Sequence, residues 1–376
     1  AILELAERKN TGTLRRLVVT GCLPERYQGD ILKELPEIDA VLGTGSFPDI
    51  VEALESDETH FARFLDKNAP LPELDRAIST GPAWAYLKVA DGCDNRCAYC
   101  VIPSIRGRFR SRPTEAVVTE ARALARAGVK ELILVAQNLT HYGRDLKDGT
   151  TLASLLRELA RIDGIAWIRL HYLYPHEITE ELIDLIAEEP KIVKYLDMPI
   201  QHVNDAILRR MRRPETKAQI CAMIEKLRER IEGVVLRTSL IVGLPGEGEA
   251  ELEELMDFLR EYRLERAGVF VFSPQEGTAA YDMTDRCTTE EAEARRDRVM
   301  DLQNSIMDEY DREQIGCTFT VLCEGREEDL WVGRRYADSP DIDEQVYFTG
   351  DRAMPGEFAR VRITGAENGC LFGQML

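Results

Sequence analysis

Between residues 80 and 312, short apolar runs alternate with longer amphipathic stretches, and this alternation limits the possible folds more than any other feature. The apolar runs predict six strands, at residues 86–90, 132–136, 167–171, 195–198, 234–242 and 268–272. Apolar residues recur with the helical period between them, and a long charged helix is predicted at 289–314. Such alternation predicts a parallel α/β sheet covered by helices. Six units predict an open or partial (βα)6 barrel, with the chemistry at the carboxyl ends of the strands.

Changes in composition divide the chain into four segments. The first predicts an incomplete α/β amino-terminal domain, and the second is a proline-containing linker. The third carries the strand–helix alternation, and the fourth predicts short strands that form a small β-barrel. The four segments span residues 1–65, 66–79, 80–313 and 314–376.

Charge and cysteine usage restrict the class of protein. The 376 residues hold 67 Asp and Glu against 48 Lys and Arg, giving a formal net charge of −19. This acidity argues against a general nucleic-acid binder, because phosphate contacts need positive charge. No apolar run approaches the roughly 20 residues of a membrane helix, so no membrane partner is expected. The nine dispersed cysteines are typical of a reducing compartment, and we expect a cytoplasmic protein.

Three of the cysteines form a C-x3-C-x2-C motif directly after the first predicted strand of the core. They are Cys93, Cys97 and Cys100. Three thiolates can bind three irons of a cubane cluster and leave the fourth iron open to a substrate or cofactor. Thiolates also bind zinc, so a structural zinc site is the alternative. Because no further Cys or His lies close by in the sequence, the motif favours a [4Fe-4S] cluster.

Polar side chains occur at the ends of several predicted strands. They are Gln137 and Asn138 after the second strand, Gln201 and His202 after the fourth, and Arg237 within the fifth. The glycines at 243 and 246 allow close approach of a ligand, although an ordinary strand-to-helix turn explains them equally well. His171 and His202 are candidate bases, but hydrogen-bonded histidines at strand ends are the simpler interpretation.

An alternating run of arginines follows the cysteine motif. It comprises Arg106, Arg108, Arg110 and Arg112. The run is either a solvated face or a contact for an acidic substrate or cofactor, and the second interpretation is favoured slightly for Arg106.

The cysteine motif, with Tyr99 before its last cysteine, resembles that of the radical S-adenosylmethionine (SAM) enzymes. The stretch at 100–113 (CVIPSIRGRFRSRP) resembles the segment after the cluster loop in the methylthiotransferases of that superfamily. The β-rich segment at 314–376 is similar to their TRAM domain. The resemblance implies that the open iron binds the amino and carboxylate groups of SAM. One electron from the reduced cluster then cleaves SAM to a 5′-deoxyadenosyl radical, which takes hydrogen from the substrate.

The same resemblance implies roles for individual residues. Tyr99 is expected near the adenine of SAM, and the strand-end residues Gln137 and Gln201 are expected to contact its polar groups. Arg213 and Arg237 are expected to pair with its carboxylate, since a guanidinium matches that group with two parallel hydrogen bonds. A solvated surface arginine is the alternative for Arg213.

Cys22 stands at the end of a short predicted strand. From composition alone it is an ordinary buried cysteine. However, the stretch at 18–27 (VVTGCLPERY) resembles the last cysteine segment of the amino-terminal methylthiotransferase domain, which implies that Cys22 is a ligand of a second, auxiliary [4Fe-4S] cluster. Two further cysteines are then expected upstream of Ala1, and we expect an amino-terminally truncated chain that cannot complete sulfur insertion.

Two types of methylthiotransferase compete as the best match. One modifies an aspartate of the small-subunit ribosomal protein S-twelve (RimO type), and the other modifies an adenosine in transfer RNA (MiaB type). Four segments favour the RimO type: 169–175 (RLHYLYP), 195–202 (YLDMPIQH), 272–277 (FSPQEG) and 333–343 (GRRYADSPDID).

The charge of the last segment favours the same type. From residue 315 onward there are 6 Arg, no Lys and 11 Asp and Glu, which suits a basic protein partner, although acidity kept for solubility is the alternative. The resemblance therefore implies methylthiolation of the β-carbon of an S-twelve aspartate, with an electron donor such as flavodoxin or ferredoxin, and tRNA as the alternative substrate.

Overall fold

The computed structural model describes residues 1–73, 76–81 and 83–376. The chain forms two compact units. Unit 1 consists of Ala1–Arg76, Ala90–Arg96 and Cys100–Arg112, and unit 2 consists of Ala77–Val89, Cys97–Tyr99 and Pro113–Leu376. Two residues of the predicted linker at 66–79 lie outside the described residues, and the four-segment division remains a prediction.

The amino-terminal part of unit 1 is a small α/β sheet. Its elements are α1 (Ile2–Asn10), β1 (Val18–Thr20), α2 (Cys22–Tyr27), α3 (Gly29–Glu34), β2 (Ala40–Leu42), α4 (Ile50–Glu55) and β3 (Phe61–Arg63). The strands are parallel in the order β1–β2–β3. The sequence analysis missed β3, because a strand of three residues is too short to show a strand pattern. Cys22 begins α2 one residue after the β1 turn.

The next part of the chain contains the alternating elements. They are β4 (Trp84–Lys88), β5 (Ala90–Asp91), α5 (Ile102–Arg106), β6 (Arg110–Ser111), α6 (Thr114–Arg126), β7 (Glu131–Val135), α7 (Leu152–Ala160), β8 (Trp167–Leu170), α8 (Glu180–Glu188), β9 (Ile192–Asp197), α9 (Asp205–Arg210), α10 (Lys217–Arg230), β10 (Val235–Val242), α11 (Glu249–Tyr262), β11 (Arg266–Val271) and α12 (Thr289–Glu313). The short pair β5–β6 lies in unit 1 and is antiparallel.

Six of these strands form one parallel sheet in unit 2. Its order is β4–β7–β8–β9–β10–β11. The spatial order of the six strands is therefore the same as their order along the chain, as a partial barrel requires. The strands form because their apolar side chains are buried on both faces: Leu132, Ile133 and Leu134 of β7 are all inaccessible. Thr151, Thr216 and Thr288 begin helices α7, α10 and α12 with reciprocal capping boxes. The predicted α/β partial barrel is confirmed.

The carboxy-terminal part of unit 2 is a closed five-stranded β-barrel. Its strands are β12 (Thr318–Glu327), β13 (Leu330–Arg334), β14 (Val346–Thr349), β15 (Phe358–Glu367) and β16 (Cys370–Met375), in the order β12–β13–β14–β16–β15. Val321, Phe348 and Val361 fill its core. The predicted small barrel is confirmed, although β16 was missed because Gly373 and Gln374 interrupt its apolar pattern. Among the described residues, no helix is both long enough and apolar enough to cross a membrane.

Candidate functional site

The first two cysteines of the motif follow a sharp turn at the end of β5. Gly92 makes this turn with φ +82°, and a Cβ atom there would lie 2.1 Å from the Arg108 carbonyl oxygen, so only glycine fits. The Cys93 amide then donates to the Gly107 carbonyl at 3.2 Å, and Asp94 Oδ1 accepts from the Phe109 amide at 3.1 Å. The loop is therefore fixed to the chain that returns through β6.

A cavity of about 400 Å³ lies beside this loop within unit 1. Its lining includes Cys93, Arg96 and Arg108. Cys93 is buried, with 7% of its surface exposed, so its side chain lies directly beneath the cavity wall.

Cys22 contacts the arginine run that follows the motif. Arg106 Nη2 donates to Cys22 Sγ at 3.1 Å, and Arg106 Nη1 lies 3.5 Å from Asp91 Oδ2. Arg106 is thus not part of a solvated face: it links the first residue of α2 to the strand that leads into the cysteine motif.

Tyr99, which directly precedes Cys100 of the motif, and Arg213 both lie in unit 2. Each affects the pKa of the other. Tyr99 packs against a cluster that includes Ala98 and Met211. Burial raises the pKa of the Tyr99 phenol well above its usual range, and the neighbouring Cys97 side chain raises it further. The chain therefore holds this phenol protonated and available as a hydrogen-bond donor.

Arg213 is a buried cation with unused donors. Its guanidinium lies 4.6 Å above the Tyr174 ring, and Nη2 donates to the Pro199 carbonyl at 2.9 Å and to Glu215 at 3.3 Å. Nε and Nη1 are also buried, and among the described residues they have no hydrogen-bond partner. The alternative of a solvated surface arginine is wrong, because Arg213 is 5% exposed. Two unpaired buried donors leave room for an anionic ligand group.

Arg237, the other predicted carboxylate ligand, already has an acidic partner. Its Nη1 donates to Asp197 Oδ1 at 2.8 Å, while Asp197 Oδ2 is buried with no hydrogen-bond partner among the described residues. Burial raises the pKa of Asp197, which Arg237 counteracts. Arg237 therefore has only part of its guanidinium left for a ligand.

The two predicted glutamines follow two strands of the same sheet, β7 and β9, which are separated by β8. Gln137 follows β7, and its Oε1 is buried without a hydrogen-bond partner in the described part of the chain. Gln201 has φ +70°, and its backbone bonds to Ser239 and Ile241 beside β10. A strained residue at a strand end is typical of a functional position.

Both candidate histidines are held neutral. Burial lowers the pKa of His171 to about 3 and that of His202 to about 4. His171 Nε2 is 3.0 Å from Ser339 Oγ, and His202 Nδ1 accepts from the Asn204 amide at 3.0 Å. The geometry therefore agrees with hydrogen-bonded strand-end histidines, and neither is poised to titrate near pH 7.

The sequence analysis did not identify a buried charged network beneath these strand ends. Glu131 of β7 accepts from Arg169 Nε and Arg334 Nη2, both at 2.7 Å. All three side chains are at most 1% exposed. Arg334 ends β13, so the network joins the parallel sheet to the carboxy-terminal barrel within unit 2.

The β13–β14 loop (residues 335–345) extends this joint. Arg335 forms a 2.9 Å ion pair with Asp338, and Asp343 Oδ2 accepts from the Tyr195 hydroxyl at 2.6 Å. Arg169 Nη1 donates to the Tyr336 carbonyl at 2.8 Å. The residues in the last two contacts are more than 140 positions apart in the sequence. No local sequence pattern could therefore have revealed this arrangement.

Similarity to known proteins assigns the two folded regions. Residues 87–259 match the Radical SAM superfamily, and residues 315–376 match the TRAM domain. A Geobacter sulfurreducens protein is 46% identical over 382 residues, covering 100% of this chain and 86% of that protein. An Acetivibrio thermocellus protein is 43% identical, covering 100% and 85%. Both are named ribosomal protein uS12 methylthiotransferase RimO. The chain belongs to the RimO family.

Solved structures agree with the radical SAM fold of this RimO-family chain. The radical SAM methyltransferase TsrM from Kitasatospora setae superimposes with a TM-score of 0.55 at 16% identity, covering 71% of this chain and 57% of TsrM. The cobalamin-dependent radical SAM enzyme OxsB gives 0.50 at 15% identity, covering 82% and 45%. These likenesses concern the fold alone.

Membership of the radical SAM superfamily brings a [4Fe-4S] cluster and SAM as cofactors, and the residues present fit both. Three cysteine thiols stand within eight residues, and thiols are the residue type that binds the irons of such a cluster. Among the described residues, no three His, Cys, Asp or Glu side chains are placed to hold a single metal ion, but the thiolates of a cubane bind different irons and need not converge on one point. The unpaired polar atoms of Gln137 and Arg213 suit a polar, charged cofactor.

Proposed function

We propose that this chain is a radical SAM methylthiotransferase that replaces a β-carbon hydrogen of an aspartate in ribosomal protein uS12 by a methylthio group. The observation that carries the proposal is similarity to RimO proteins at 43–46% identity along essentially the whole chain. The acidic carboxy-terminal barrel supports a basic protein substrate over transfer RNA, because like charges repel. Action on a ribosomal protein implies a cytoplasmic enzyme.

The chain holds the cofactors through two groups of residues. Cys93, Cys97 and Cys100 ligate the [4Fe-4S] cluster, which supplies the electron that cleaves SAM when it is bound. Arg213 receives the SAM carboxylate through its two unpaired donors, and a charged hydrogen bond of this kind is worth about 1.5–3 kcal/mol. Tyr99 stays protonated near the adenine.

The remaining predicted residues assist in binding. Gln137 offers its unpaired carbonyl oxygen to a hydroxyl or amino group of SAM. Gln201, whose backbone is strained, lies after the end of β9 and contacts the polar groups of SAM. Arg237, which is paired with Asp197, adds positive charge near the SAM carboxylate. A radical removes hydrogen from an unactivated carbon without an acid or base, so neither histidine is assigned a catalytic role.

Anaerobic reconstitution with iron and sulfide tests the cofactor assignment. We expect iron–sulfur absorbance and formation of 5′-deoxyadenosine when dithionite and SAM are added. Both should disappear in Cys97→Ala and persist in Cys317→Ala, which removes an exposed thiol of the carboxy-terminal barrel. Bound zinc with no SAM cleavage would instead support a zinc-stabilised binding module.

We further propose that Cys22 ligates an auxiliary [4Fe-4S] cluster. In support, Arg106 Nη2 donates to Cys22 Sγ at 3.1 Å, which connects this sulfur to the segment that follows the cysteine motif. The test compares the wild type with Cys22→Ala after anaerobic reconstitution. Cys22→Ala should lower iron per chain and abolish methylthiolation, while 5′-deoxyadenosine formation continues. Unchanged iron content would contradict the assignment.

The substrate assay offers the protein both uS12 and transfer RNA. Mass spectrometry should detect one added methylthio group on a uS12 aspartate and none on RNA. Turnover on transfer RNA alone would overturn the proposed substrate and support the MiaB-type alternative.

A further inference from the structure

We propose that the cavity beside Cys93 is a docking site for an acidic one-electron carrier protein, held by Arg96 and Arg108. The proposal rests on the proposed function, since radical SAM chemistry consumes single electrons. In the step it serves, the reduced carrier loses one electron and the [4Fe-4S] cluster gains it. No bond forms or breaks and no proton moves in that transfer.

The position of the cavity is the first reason. Cys93 is part of the cavity lining, while Cys97 and Cys100 are not. Cys93 is nearly buried, with 7% of its surface exposed, and it forms part of the cavity wall. Electron transfer weakens steeply with distance, so a carrier seated over this cavity would lie close to the cluster.

The second reason is the charge of the surrounding segment. Residues 93–112 contain five arginines and one aspartate, in a chain of net charge −19. Three of the arginines are engaged inside unit 1: Arg106 with Cys22 and Asp91, Arg110 with the Arg106 carbonyl, and Arg112 with Glu73.

Arg96 and Arg108 differ from those three arginines. Both are exposed, both line the cavity, and within the described ranges neither guanidinium has an ion-pair or hydrogen-bond partner. Asp94, the one carboxylate in the cavity lining, accepts from the Phe109 amide and offsets one of the two positive charges. Two unpaired cations therefore face solvent at the opening over Cys93.

Charge complementarity selects the partner. The net charge of −19 repels an acidic protein from most of the surface, so a local positive rim would direct it to this cavity. A basic protein such as a ribosomal substrate is repelled by the same two arginines. RNA needs a longer basic footprint than two side chains provide.

Direct binding tests the site. The double variant Arg96→Gln/Arg108→Gln removes both positive charges. Its binding to a purified acidic flavodoxin is compared with that of the wild type by surface plasmon resonance, from low to moderate salt. Arg122→Gln is the matched control, because Arg122 is exposed on α6 and remote in sequence from the motif. We expect Kd for flavodoxin to rise about tenfold in the double variant and to lose most of its salt dependence. Arg96→Lys/Arg108→Lys should restore much of the affinity.

Dithionite separates docking from chemistry, because this small reductant needs no protein docking site. Iron content and 5′-deoxyadenosine formation with dithionite should equal those of the wild type in the double variant, while reduction by flavodoxin slows. Unchanged or undetectable flavodoxin binding overturns the proposal. A raised KM for SAM with dithionite also overturns it, because the arginines would then serve the cofactor. If no form cleaves SAM with dithionite, the proposed function fails, yet the binding comparison still decides the docking site.

Discussion

Replacing Glu131 by Gln should destabilise the fold far more than a surface substitution of the same chemistry. Glu131 is inaccessible and sits between Arg169 and Arg334, with both N–O distances at 2.7 Å. Glutamine has nearly the same shape, so packing is preserved. The variant leaves two buried guanidinium groups without their carboxylate. The glutamine oxygen can accept from one guanidinium, but its NH2 group faces the other, which also only donates.

The magnitude follows from burial. Breaking a buried ion pair by removing one partner costs about 3–5 kcal/mol. Two arginines lose a partner here, but Arg334 keeps Glu324 at 2.6 Å and Arg169 keeps the Tyr336 carbonyl. We therefore expect a loss of about 3–4 kcal/mol in the free energy of unfolding.

The matched control is Glu158→Gln. Glu158 pairs with Arg161 at the surface, where the two side chains are 43% and 72% exposed, and its loss should cost no more than about 0.5 kcal/mol. Equilibrium urea unfolding at pH 7, followed by tryptophan fluorescence, compares the two. A difference between the variants of less than about 1 kcal/mol would refute the reasoning. An apolar triple replacement, Glu131→Met with Arg169→Leu and Arg334→Leu, should cost less than the single change, because no charge is left unpaired.

The pH dependence gives an independent check on the same carboxylate. Burial alone would raise the pKa of Glu131, but the two guanidinium groups outweigh it and hold the pKa below 4.5. A depressed carboxylate pKa stabilises the fold above the unfolded-state value, and this stability disappears as the pH falls through the folded-state value. The difference between wild type and Glu131→Gln should therefore be constant from pH 8 to about 5.5 and shrink only in more acidic solution.

Three further outcomes are expected. Gly92→Ala should lower cluster retention and destabilise the protein by about 1–3 kcal/mol, because its φ is +82° and a Cβ would strike backbone; Gly128→Ala, with φ +98° in open space, should cost less and leave iron content unchanged. His171 and His202 have pKa values lowered to about 3 and 4, so protonation favours the unfolded chain. The free energy of unfolding should therefore fall by up to about 1.4 kcal/mol per pH unit for each histidine as the pH drops below 6.5. The double variant His171→Gln/His202→Gln should show a smaller slope in urea unfolding. Arg213→Gln should raise Kd for SAM about tenfold or more, measured by calorimetry, and equal affinity in this variant would contradict its assignment.

The fold could be predicted to within a few residues because its signals are local. Each strand of the sheet is a short apolar run, and each helix repeats its apolar face over several turns, so neighbouring residues carry the information. The failures share a physical cause. β3 is three residues long, and β16 contains Gly373 and Gln374, so these strands are stabilised by pairing with distant strands rather than by their own pattern.

The candidate site was predictable only in part for the same reason. Cys93, Cys97 and Cys100 stand within eight residues, which makes their spacing readable. Whether Arg213 is buried or solvated depends on its contacts with Tyr174 and Pro199, which fold around it. Sequence spacing cannot distinguish a guanidinium with unpaired buried donors from one in water.

The contacts between the parallel sheet and the β13–β14 loop also explain why three of the segments that resemble the RimO type are informative together. The stretches at 169–175, 195–202 and 333–343 meet in unit 2 through Arg169 with the Tyr336 carbonyl, His171 with Ser339, and Tyr195 with Asp343.

In each of these contacts the side chain from the sheet is buried: Arg169, His171 and Tyr195 are at most 1% exposed. Removing its partner leaves that buried group unsatisfied, at about 1–3 kcal/mol for a neutral group. The segments at 169–175 and 195–202 therefore each need the segment at 333–343 in order to be satisfied. That mutual dependence is why the three segments together specify how the carboxy-terminal barrel is attached to the sheet, whereas any one of them alone specifies little.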